Sequence, residues 1–95
     1  MSLIFEWDEN KAEENLQKHN VGFEEAKTVF NDPFSLTVYD RKHSNDEDRY
    51  LDIGLSFKRR FIIVSYTEKG KNIRIISSRK ANKMEQKDYE KKRKN

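Results

Sequence analysis

Arg74, Arg79, Lys80 and Lys83 fall in one short stretch of the chain, interleaved with Ser77, Ser78 and Glu85 and flanked by Tyr66 and Tyr89. Arginine suits a phosphodiester, because its planar fork meets two phosphate oxygens at once and stays charged at any cellular pH. Metal-free cleavage of RNA needs the ribose 2′-hydroxyl deprotonated, the leaving oxygen protonated, and the extra charge at phosphorus held by cations or donors. Arg74 and Arg79 fit the last task, and Glu85, His19 and Lys80 are the candidates for the base. Strand alternation puts Arg74, Ile76, Ser78 and Lys80 on one face and Ile73, Ile75, Ser77 and Arg79 on the other. Ile73 and Ile75 read as core, so Arg74 is the surface residue, and Arg79 joins it only if the strand ends or twists first.

Each of the remaining candidates has a structural competitor. Lys18 and His19 close the first helix, where a cation satisfies the helix dipole as readily as it meets a phosphate. His43 lies in an acidic loop, a solvated position that is also where a loop over an active site would be. Glu85 stands three residues after Asn82, the spacing of a capping box. Tyr66 and Tyr89 could stack on bases or pack in the core, while Lys18, Lys83 and the cluster Lys91-Lys92-Arg93-Lys94 add phosphate affinity without sequence choice. Asn15 reads as a polar clasp. With 3 Gly there is no phosphate-cradling loop, and there is no His pair at ligand spacing and no Ser in a nucleophile elbow. Cys 0 removes disulfides, thiolate zinc sites and a cysteine nucleophile. No metal and no cofactor is expected.

The net charge of +3 hides a division. Residues 1–48 hold 5 Lys/Arg and 12 Asp/Glu, a balance of −7, whereas residues 49–95 hold 15 Lys/Arg and 5 Asp/Glu, a balance of +10. A cationic half attracts a polyanion such as nucleic acid. The length of 95 residues allows one domain, 1–95, with a frayed basic tail from about 91. No apolar run approaches the ~20 residues of a membrane span and the N-terminus lacks a signal-peptide pattern, so the expected compartment is the cytosol.

These residues need elements to position them. Leu3, Phe5 and Trp7 alternate as a first strand. Asp8 caps a helix that ends at Asn20, and a second helix, about Phe23 to Phe30, stops at Asn31-Asp32-Pro33. The period then changes to 2 through Phe34, Leu36 and Val38, and again through Leu51, Ile53, Leu55 and Phe57, with a solvated loop Asp40–Asp48 between. Phe61 to Tyr66 is apolar on both faces, and Gly70 turns the chain into Ile73–Arg79. A last helix from Asn82 has a poor apolar face and is expected to dock loosely. The order is β-α-α-β-β-β-β-α, an α+β domain with a small, mainly antiparallel sheet.

Phe5-Glu6-Trp7-Asp8, Lys11, Asn15, Lys18-His19, Phe23-Glu24-Glu25-Ala26, Val29-Phe30, Asp32-Pro33, His43-Ser44 with Asp46-Glu47 and Arg49-Tyr50, Ile53-Gly54, Tyr66-Thr67-Glu68, and Arg74-Ile75-Ile76-Ser77-Ser78-Arg79-Lys80-Ala81 with Glu85 and Tyr89 occur in one order. Over about residues 4 to 90 this series resembles the BrnT toxins of BrnT–BrnA toxin–antitoxin systems, whose usual Ser-Ala-Arg becomes Ser77-Ser78-Arg79. The resemblance implies a RelE-like fold and a ribonuclease that arrests growth. It further implies a ribbon-helix-helix antitoxin, a two-plus-two assembly, and repression of the operon by the complex on operator DNA. It supports Arg74, Arg79, Lys80, Glu85 and Tyr89 as a group, with Lys18 and His19 as additions. The alternative reading is a non-catalytic RNA- or DNA-binding module or co-repressor.

Overall fold

A computed structural model describes residues 3–94. Its elements are β1 (Ile4–Glu6), α1 (Glu9–His19), α2 (Phe23–Ala26), a 3₁₀ segment (Lys27–Asn31), β2 (Leu36–Tyr39), a 3₁₀ turn (Arg41–His43), β3 (Tyr50–Leu55), β4 (Phe61–Lys69), β5 (Asn72–Lys80) and α3 (Lys83–Lys94). The five strands form one sheet in the order β1-β5-β4-β3-β2, parallel at β1–β5 and antiparallel elsewhere. This is the expected α+β order. No helix among the described residues is long and apolar enough to cross a membrane.

Local chemistry sets the boundaries. Asp8 accepts from the Asn10 and Lys11 amides, and Asn20 ends α1 at φ 58, a left-handed turn that Asn tolerates. The second helix is shorter than its apolar spacing predicts, because after Ala26 the chain tightens to 3₁₀ as far as Asn31. That segment is pressed onto β3 at Gly54, where a Cβ would lie 3.1 Å from both Val29 Cγ1 and Asp32 Oδ2. Gly70, at φ 62, makes the β4–β5 turn.

Each face of the sheet has its own core. Ile62, Val64 and Tyr66 of β4 and Ile73 and Ile75 of β5 meet Val21, Phe23, Ala26 and Val29, with Ala12 of α1 packed alongside. On the other face Ile53 and Ile63 meet Ala81 and Tyr89. Tyr89 is only 1% exposed, and its hydroxyl donates to Asp32 Oδ2 at 2.8 Å, so α3 is anchored rather than loosely docked. β1 pairs with β5 only as far as Arg74. Beyond it, Asn15 substitutes for a strand: its amide donates to the Ser78 carbonyl at 2.8 Å and accepts from the Ser78 amide at 3.0 Å. The expected clasp therefore secures β5 as well as the connection at Val21.

Candidate active site

One extra residue decides what β5 presents. Ser77 pairs with Ser65 and Ile75 with Tyr66, so Ile76 has no partner and the ladder slips by one at this bulge. Before it, Ile73 and Ile75 face the α1–α2 core, and after it Ser78 and Lys80 pair with Val64 and Ile62 of that same core. Arg74 and Arg79 therefore lie on one face, together with Ser77. Simple alternation separates them, and the bulge brings them together by the twist that the sequence reading required of Arg79.

That face is covered only at one end. α3 lies over Ile53 and Ile63, while Val38, Arg74, Ser77 and Arg79 remain exposed, with Ser65 and Thr67 half-exposed between them. Small hydroxyl side chains thus form a floor with an arginine at each end of the β5 edge. At about 3.3 Å per residue, less the bulge, the two Cα atoms stand roughly 14 Å apart, a span that two arginine side chains can close from opposite ends. Beside Arg74, Glu6, Glu47 and Thr67 help line a cleft of about 410 Å³.

Both arginines already hold carboxylates. Arg79 forms a two-pronged pair with Glu85 at 2.9 and 2.8 Å, and Arg74 donates to Glu47 at 2.7 Å. Glu85 also closes the predicted capping box, accepting from the Asn82 amide at 2.8 Å while its own amide donates to Asn82 Oδ1 at 2.9 Å. Hydrogen bonding from Arg79 holds the Glu85 carboxyl below its usual range, reinforced by the Asn82 amide and the Arg79 charge and outweighing partial burial. A carboxylate so engaged is a poor proton acceptor and a good support for Arg79.

Arg49 joins this face from one residue before β3. Its carbonyl accepts from the Asp40 amide at 2.9 Å, which continues the β2–β3 ladder and sets Arg49 level with Thr67 and Arg74 on the side of Leu51. Its Nε is buried without a hydrogen-bond partner, and Arg49 enters none of the ion pairs among the described residues. Sequence alone does not mark Arg49 as a site residue, because the short run Arg49-Tyr50 carries no periodic signal for its direction.

The other predicted residues divide. Lys83 is exposed at the start of α3, two residues before Glu85. Lys80 belongs by register to the opposite face, and Lys18 and His19 end α1, which packs on that same side. Tyr66 is 4% exposed with its hydroxyl on Asp52 at 2.9 Å, and Tyr89 is held by Asp32; both rings are core, which corrects the expectation that they meet RNA bases. Their hydroxyls are locked as donors: burial and the neighbouring Asp52 push the Tyr66 phenol up, and burial with the bond to Asp32 raises Tyr89 to about 12. Among the described residues no three His, Asp or Glu side chains gather as metal ligands.

Comparison with known proteins agrees with this architecture. The crystal structure of the ribonuclease toxin BrnT of Brucella abortus superposes with a TM-score of 0.64 over 87% of this chain and 99% of that one, at 24% identity. A search of curated proteins finds no match. Residues 7–85 match the model of the family described as the ribonuclease toxin BrnT of type II toxin–antitoxin systems. The chain belongs to the BrnT family of ribonuclease toxins.

Proposed function

We propose that the chain is a metal-independent endoribonuclease of the cytosol, whose scissile phosphate rests on the open half of the sheet between Arg74 and Arg79. The observation that carries this reading is the bulge at Ile76, which sets both arginines on one uncovered face. A phosphate entering there replaces Glu47 on Arg74 and takes the outward edge of Arg79, whose other side Glu85 keeps in place. As the 2′-oxygen attacks, the phosphorane gains charge, and fixed guanidinium groups stabilise it more than the ground state. Arg49 supplies further positive charge in the same row.

The test incubates the purified protein with labelled RNA in EDTA beside Arg74→Ala and Arg79→Ala. Cleavage persists in EDTA and falls about 10²–10³-fold in each variant, the range for losing one transition-state donor. Cleavage abolished by chelation overturns the metal-free step. No cleavage of any RNA, ribosomes included, leaves a binding module. Contact with about 4 phosphates gives RNA affinity a log–log salt slope of roughly −3.

The family's type II setting implies a protein antitoxin. We infer that a BrnA-like, ribbon-helix-helix partner covers the open face in a two-plus-two complex, and that it exchanges its own carboxylates for Glu47 and carries the toxin to operator DNA. A complex that keeps full nuclease activity overturns this placement.

A further inference from the structure

On the open face Glu85 is engaged by Arg79 and Glu47 by Arg74, and Glu6 is an exposed carboxylate at the end of β1, while His19 and Lys80 belong to the other side of the sheet. The segment 40–49 supplies a further candidate base that carries its own positioning group. Although it reads as a solvated loop, its neck is closed by side chains. Ser44 Oγ donates to the Asp40 carbonyl at 2.6 Å and accepts from the Arg49 amide at 2.9 Å, and the Tyr39 hydroxyl donates to Asp48 at 2.9 Å. Its far side is fastened by Glu47 on Arg74. The loop therefore lies at the end of the face where Arg49 and Arg74 stand.

Within it, His43 Nδ1 lies 2.9 Å from Asp40 Oδ2. A carboxylate only accepts, so Nδ1 carries a hydrogen toward Asp40, and in the neutral ring this tautomer leaves the lone pair on Nε2. The Asp40 side chain is 12% exposed and the His43 ring 57%, so an inner carboxylate orients an outer imidazole.

We infer that His43 is the general base of the nuclease site and that Asp40 is its positioning residue, an assignment that rests on the reading of the open face as the cleavage site. Nε2 takes the 2′-hydroxyl proton, the O2′–P bond forms, and the P–O5′ bond breaks. The departing O5′ takes a proton from water, and His43 returns its own to solvent. The products are a 2′,3′-cyclic phosphate and a 5′-hydroxyl.

The experiment compares wild type, His43→Ala, Asp40→Asn and Arg79→Ala. It measures single-turnover cleavage of labelled RNA, affinity for the 2′-O-methyl RNA of the same sequence, and cleavage with added imidazole. His43→Ala slows cleavage about 10²–10⁴-fold, changes affinity less than twofold, and regains activity with imidazole. Asp40→Asn slows cleavage about 10-fold or more at unchanged affinity. If His43→Ala cleaves at the wild-type rate while Arg79→Ala is dead, the assignment is wrong and the site stands. Loss of affinity in step with rate, or no imidazole rescue, also overturns the assignment. A wild type that does not cleave, or an Arg79→Ala that cleaves normally, overturns the site itself.

Discussion

Ile62, Val64 and Tyr66 of β4 are sealed beneath α2 and its 3₁₀ extension, whereas Ser65 and Thr67, one step along the same strand, are half-exposed on the other face. The closed face is mostly apolar, and the polar groups buried on it, Asp52, Ser78 and Asn15, are hydrogen-bonded. The open face is apolar chiefly where α3 lies on it, and beyond that, past the exposed Val38, it turns to hydroxyls, arginines and the carboxylates beside Arg74. α3 buries little besides Tyr89, so it covers Ile53 and Ile63 and stops. Its polar first turn then serves the open face, because Glu85 both caps the helix and holds Arg79. The difference teaches that the site is the part of a two-sided sheet that the last helix is too polar to cover.

The strongest way to break this division is Asn15→Leu. Deleting the unpaired Ile76 would leave Ser77, Ser78 and Arg79 on the faces they now hold, because the ladders on either side of the bulge already match, whereas Asn15→Leu strands the Ser78 amide, the Ser78 carbonyl and the Val21 carbonyl. Orphaning these buried backbone groups costs more than about 3 kcal/mol. Circular dichroism and thermal melting should show a chain that no longer folds at 37 °C. A variant with a wild-type melting temperature would mean that Asn15 does not hold the end of β5 in place.

Arg79→Lys asks whether the open face works through geometry or charge alone. A lysine keeps the charge and loses the two-pronged hold on Glu85 and on phosphate. Cleavage should fall about 10²-fold, the loss of one well-placed donor, while the melting temperature moves by less than about 2 °C because Arg79 is only about half buried and a lysine keeps its charge beside Glu85. Equal activity in the two proteins would reduce the site to an electrostatic patch.

How far the sequence announces these differences depends on the range of the interactions. Asp8, Asn20, the Asn82–Glu85 box and Gly70 act within a few residues of themselves, and each is found where its local chemistry places it. The bulge at Ile76 carries no glycine or proline, since it follows from how β4 and β5 fit, so strict alternation misassigns every residue from Ser77 onward. Tyr66 and Tyr89 look like stacking rings until their hydroxyls meet Asp52 and Asp32, 14 and 57 residues away in sequence. The segment from Asp40 to Asp48 is polar enough to read as solvent-filled, and only its contacts with Arg49 and Arg74 give it a fixed course.

The same two carboxylates sharpen the comparison through pH. Burial favours a raised Asp32, but the Leu55 and Phe34 amides and the Tyr89 hydroxyl hold it below its usual range. Its stabilisation is present at neutral pH and is lost as pH falls through the depressed folded value. Asp52 is raised, chiefly by burial, despite the Thr37 and Tyr66 hydroxyls, so its protonated form favours the fold and that benefit is lost as pH rises. Asp32→Asn should therefore cost about 2 kcal/mol at pH 7, since an amide hydrogen meets donors, and less at acid pH as the wild-type carboxylate begins to protonate. Asp52→Asn keeps an acceptor for both hydroxyls and removes the buried charge, giving a gain of about 1 kcal/mol at pH 7 that disappears below about pH 4. Denaturant melts at pH 7 and pH 3 read both signs; a destabilised Asp52→Asn would show that the charge itself organises Thr37 and Tyr66.

Glu47→Gln is the mildest change and bears on the resting state of the open face. Arg74 and Glu47 are each about half exposed, so their pair adds little to the fold, and a phosphate must displace the carboxylate to reach the guanidinium. Removing the charge removes that competitor and the repulsion between Glu47 and RNA. Affinity for 2′-O-methyl RNA should rise about 2- to 5-fold at low salt, equivalent to roughly 0.4–1 kcal/mol, and the gain should shrink at higher ionic strength as screening weakens both effects. Because Glu47 also ties the loop that carries His43, the variant separates the two contributions of this contact. Tighter binding with unchanged cleavage of bound RNA assigns Glu47 to guarding Arg74, whereas tighter binding with slower cleavage shows that the tie also holds the loop over the face.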